Sequence, residues 1–127
     1  MISEEIKERL RELKTEDFIW VIYIGIIVLS WIANNLERKY FLFNDLQSKE
    51  KYRNLMIFIF VILILAYLYF FNDSYSGLKN LKPFDSNNKK NLTFLSFIGS
   101  LLVTISGFIF LYIIIKDEQI DVEIAFN

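Results

Sequence analysis

The chain has 127 residues, of which 54% are hydrophobic and 17% aromatic, and its 14 basic and 15 acidic side chains leave a net charge of −1. That balance argues against a nucleic-acid partner. With no cysteine there is no disulfide, thiolate metal site or lipidated cysteine, and with no histidine the commonest general base and metal ligand is missing. Ile, Asn, Lys and Phe are abundant, all with AT-rich codons, which suggests a low-GC bacterial genome.

Residues 1–17 read as an amphipathic helix. Ile2, Ile6, Leu10 and Leu13 recur at helical spacing, with acids and bases between them. The pairs Glu5–Arg9 and Glu8–Arg11 are spaced to support it. Six acids against four bases in this segment do not make a secretion signal, so the apolar stretch that follows is expected to stay in the mature protein.

Three stretches then carry no ionisable residue: Phe18–Leu36, Leu55–Phe71 and Leu92–Ile115. At ~1.5 Å per helical residue, each spans or nearly spans the ~30 Å hydrocarbon core of a bilayer. In Leu55–Phe71, thirteen of seventeen residues are Leu, Ile, Phe or Val. At roughly −0.3 to −0.6 kcal/mol each near a helix centre, these favour insertion by about 4–8 kcal/mol. Backbone groups in lipid must be satisfied internally, and the runs do not alternate, so helices are expected and a β-barrel is not. The expected fold is all-α, a single three-span membrane unit over residues 1–127.

Between the first two spans, Leu36, Tyr40 and Phe43 continue a helical stripe before Asn44-Asp45 turns the chain back, and Lys49, Lys51 and Arg53 precede the second span. Trp20 and Trp31 lie only ~17 Å apart along a helix, so they cannot anchor opposite interfaces and at least one should face a neighbouring helix. Residues 72–91 read as the most loop-like part, rich in Asn, Asp and Ser and holding the one proline, Pro83; Asp85 to Asn88 are placed to start the third helix. In the acidic tail, residues 116–127, Ile120, Val122, Ile124 and Phe126 alternate with polar residues. That is the pattern of a strand with one apolar face, which would dock on another chain or loop.

On the third span Ser96, Gly99, Ser100, Val103, Thr104 and Gly107 share one stripe. Small residues let helix backbones approach closely, and hydroxyls bond across the contact, so this stripe is the expected helix-packing face and the third helix the expected central or oligomeric contact. No catalytic, cofactor or metal residues are expected: the spans hold no ionisable group, and the wet segments show no phosphate loop, ligand pair or nucleophile–base set. The expected role is a non-enzymatic multi-pass subunit of the cell membrane. Its partners would be the lipid bilayer and either further copies or a larger membrane protein, as an accessory, regulatory or immunity-type component. Basic residues number eight on the side of the N-terminus and second loop and six on the other, favouring a cytoplasmic N-terminus. In size and span count the chain also resembles the three-span phage holins, a likeness of the spans only. That resemblance implies an alternative, a homo-oligomeric pore that permeabilises membranes. The tail, with Lys116 against Asp117, Glu118, Asp121 and Glu123, departs from the basic tails of holins.

Overall fold

A computed structural model describes residues 3–124. Three helices run up, down and up: α1 (Glu4–Phe43), α2 (Leu46–Lys79) and α3 (Asn87–Lys116), and there is no strand among the described residues. All three are long and apolar enough to cross a membrane. The outward faces are as apolar as the inward ones: Trp20, Ile24, Leu65, Leu102 and Phe108 are all more than half exposed. Lipid is the solvent in which such a surface is stable.

Each helix begins where a side chain replaces a missing backbone partner. Ser3 Oγ accepts from Ile6 N (3.2 Å), Asp45 Oδ1 from Gln47 N (3.1 Å) and Ser86 Oγ from Lys89 N (3.1 Å). Asn44 closes α1 in the left-handed region (φ 52°), a conformation its short amide side chain tolerates, so two residues suffice to reverse the chain. Both turn residues match the expected Asn44-Asp45 reversal.

Of the remaining boundaries, that of the second connection departs from expectation. No break separates residues 1–17 from the first span; α1 is one helix through both. The segment expected to be loop is largely helical, because α2 continues to Lys79 and α3 starts at Asn87, leaving only residues 80–86 as connection. Asp73 and Ser74 meet polar groups on the neighbouring helices and do not turn the chain.

α2 is the centre. It packs on α1 along one side and on α3 along the other, while α1 and α3 make no helix-to-helix contact among the described residues. This corrects the expectation that the third helix is central. The physical reason is side-chain volume: Tyr52, Met56, Ile59, Phe60, Leu63 and Ile64 of α2 fill the space between helices, and α3 supplies the small groups that receive them. The α1–α2 seam is in simple antiparallel register. Lys49 Nζ sits 5.4 Å from the Tyr40 ring centre, and fully buried Ala33 and Met56 belong to one core cluster. Tyr40 and Lys49, or Ala33 and Met56, have numbers that add to 89, as a tight turn at 44 and 45 requires.

Candidate functional site: an open cleft across α2

Because α1 and α3 both rest on α2 without touching, the face of α2 between them is left as the floor of a cleft. Three adjoining hollows of about 490, 340 and 270 Å³ share Tyr67, and Tyr23 of α1 and Val103 of α3 form opposite walls. The lining is mainly apolar, relieved by hydroxyls of Tyr23, Ser30, Tyr67 and Ser96. Each residue is where the helical period puts it: Tyr23 and Ser30 lie beside the buried seam residues Ile19, Ile26 and Ala33, turned towards the opening.

The stripe on α3 divides in two across this cleft. Ser100, Thr104 and Gly107, at i, i+4 and i+7, face α2. The Ser74 and Ser100 hydroxyls are 2.8 Å apart, and Thr104 Oγ1 donates to Ser100 O at 2.8 Å and reaches Tyr67 O at 3.5 Å. Gly107 is buried so closely that a Cβ there would lie 3.1 Å from Ile64 Cγ1 and 3.2 Å from Tyr67 Cδ2. Even a Cβ at Gly107 would require Ile64 and Tyr67 to shift by a few tenths of an ångström, so the α2–α3 approach relies on the missing side chain. Ser96, Gly99 and Val103, by contrast, line the cleft wall and are exposed, and a Cβ at Gly99 would meet nothing within 4 Å. Ser96 keeps one long contact, 3.5 Å to the Ser74 hydroxyl.

At one end of the molecule, ionisable groups meet across α1 and α2. Arg9 NH1 lies 3.1 Å from Glu12 Oε2 and 3.8 Å from Glu16 Oε2, turning towards these rather than to Glu5. The hydrogen bond to Glu12, and then the Glu16 charge, hold Arg9 above its ordinary range. Asp73 of α2 faces the same group. Partial burial, then the Glu12 charge, push its carboxyl up, and Arg9 offsets this only in part. Among the described residues no three acids or other ligands converge as a metal site. Sequence reasoning missed this contact, although the register carries it: Glu16 and Asp73 also add to 89.

At the opposite end the described part of the tail forms no strand. Its alternation is broken at Ile120, whose φ of 55° is rare for a β-branched residue. The Asp117 carboxylate holds that turn, accepting from Asp121 N (3.1 Å) and Val122 N (2.8 Å). Ile120 and Ile124 are buried in the same core cluster as Tyr52 and Ile114, Val122 is half-exposed, and Phe126 lies outside the described residues. The three expected docking residues that are described, Ile120, Val122 and Ile124, therefore do not share one face. Arg53 NH2 donates to Ile115 O (2.8 Å) and Lys49 Nζ to Gln119 Oε1 (3.4 Å), tying the end of α3 and the start of the tail to the first turns of α2.

Neither protein families, nor curated proteins, nor solved structures yield a match to this chain. The cleft and its walls are the ground on which function is argued.

Proposed function

We propose that the chain is a non-enzymatic multi-pass subunit of the cell membrane, with its N-terminus cytoplasmic, that assembles with itself or a larger membrane protein as an accessory, regulatory or immunity-type component. The observation that supports this is the open half of the α3 stripe. Ser96, Gly99 and Val103 present a small-residue wall on which the chain's own helices make only the long Ser74–Ser96 contact, beside a cleft wide enough to admit side chains of another helix. In lipid, where apolar burial drives nothing together, close backbone approach of this kind is a main source of helix association.

Gly99→Leu is the test. Inside the chain the added atoms enter open space, so the monomer should keep its stability, whereas an assembly contact at Gly99 would be overpacked. Overpacking costs ~1–3 kcal/mol, a shift of roughly 5- to 150-fold in the assembly equilibrium. Sedimentation or crosslinking in mild detergent reads that shift, with Leu102→Ile as a control. An assembly as stable as the control's would overturn the reading. Collapse of membrane potential on induced expression of the chain alone would favour the pore alternative instead.

A further inference from the structure

α1 carries a second unused face, on the side away from α2. From Ile6 to Trp31, alternate steps of four and three residues meet only apolar side chains, Asp17 excepted, and all are exposed, from 41% at Leu13 to 71% at Trp31; Ile27, at the edge of this face, also borders the cleft. That is the 3.5-residue period of a seam between two helices that coil around each other. On the proposed membrane placement the face begins in water: Ile6 lies ~18 Å beyond Phe18 along the axis. The helix has no glycine or proline before Gly25, so nothing bends Ile6, Leu10 and Leu13 down onto the bilayer surface. An occupant must follow the face from water into lipid, as only another membrane-spanning helix with an extension on the same side can.

The charges choose between occupants. A second copy in the same orientation would set Asp17 against Asp17 within the apolar seam, and an opposed copy would carry its extension to the other side of the membrane. Arg9 is already held by Glu12 and Glu16, and Lys7 by Glu4 at 3.6 Å, so among the described residues Lys14 is the base on this flank that no ion pair occupies. We propose that this face receives a parallel transmembrane helix of a different protein, with an apolar heptad seam, a basic residue level with Asp17 and an acidic residue level with Lys14. The inference rests on the membrane reading above and is independent of the α3 stripe.

The test uses the full chain in phosphatidylcholine vesicles with a designed single-span helix of that pattern. The chain has no cysteine, so Ser76→Cys takes one fluorophore for energy transfer. Association is expected. Asp17→Lys should weaken it by about tenfold or more, and replacing the probe's lysine by aspartate should restore it. Leu10→Cys chains without the probe should not form disulfide-linked pairs. Association indifferent to both charge changes, or efficient Leu10→Cys pairing, would overturn the proposal. Gly99→Leu should leave probe binding unchanged. A charge-insensitive face with Gly99-sensitive assembly therefore removes this inference alone, and the converse removes only the α3 contact.

Discussion

Gly99 and Gly107 sit eight residues apart on one helix and mean opposite things. At Gly107 an added Cβ would press on Ile64 and Tyr67 at 3.1 to 3.3 Å; at Gly99 it would enter empty space. Gly107→Leu should therefore destabilise the α2–α3 pair by about 1–3 kcal/mol, while Gly99→Leu leaves the unfolding curve of the monomer in detergent where it was. Spacing alone cannot separate them, because both satisfy the small-residue pattern and only the position of α2 decides which half of the stripe is filled. The carboxylates divide in the same manner. Asp45, bonded first to the Ser48 hydroxyl, and Asp85, bonded first to Lys82 N, are held below their ordinary range, so each contributes stability above ~3.9, the unfolded value, that is lost as pH falls through the lower folded value. Asp73, pushed up by burial, has the other sign: stability is lost as pH rises from the unfolded value through the raised folded one. Asp73→Asn should raise the melting temperature at neutral pH and give no gain at pH 3. An unchanged melting temperature at pH 7 would show that neither burial nor the Glu12 charge strains Asp73.

At the scale of the element, the three spans and both turn residues at 44 and 45 were legible, because a solid apolar run and an Asn-Asp pair leave few other conformations. Helix ends and faces were harder to read. α2 extends eight residues past Phe71 because its polar residues find partners, Asp73 near Arg9 and Ser74 near Ser100, and such partners belong to helices far away in sequence. The tail shows the same limit. Alternation from Ile120 to Ile124 is a strand period, but the Asp117 carboxylate draws two backbone N–H groups onto itself and turns the chain within four residues. Asp117→Ala should release this turn, and amide exchange at Asp121 and Val122 should accelerate while α3 exchange stays slow. Equal protection in the variant would mean that burial of Ile120 and Ile124 holds the tail by itself. Trp20 and Trp31 were expected to bring at least one ring against another helix; within the chain both remain exposed, on the α1 face away from α2.

For the whole molecule, the order α1–α2–α3 across space is also the order along the chain. Every helix-to-helix contact joins sequence neighbours, and the two connections are two and seven residues long. In that respect the protein behaves as a short linear array, whose stability is a sum of two interfaces with no term closing the ends. The consequence is separability. Fragments 1–80 and 81–127, expressed as two chains, should reassemble, because the cut falls in the connection and breaks neither interface. Covalent linkage serves here to raise local concentration and does not complete a core. Reassembly should fail with Gly107→Leu in the second fragment and survive Ala33→Leu in the first, since the latter disturbs only the α1 side of α2. A fragment pair sensitive to Ala33→Leu would show the two interfaces to be coupled through α2, and the protein to be a single cooperative unit in place of two hairpins sharing a strut.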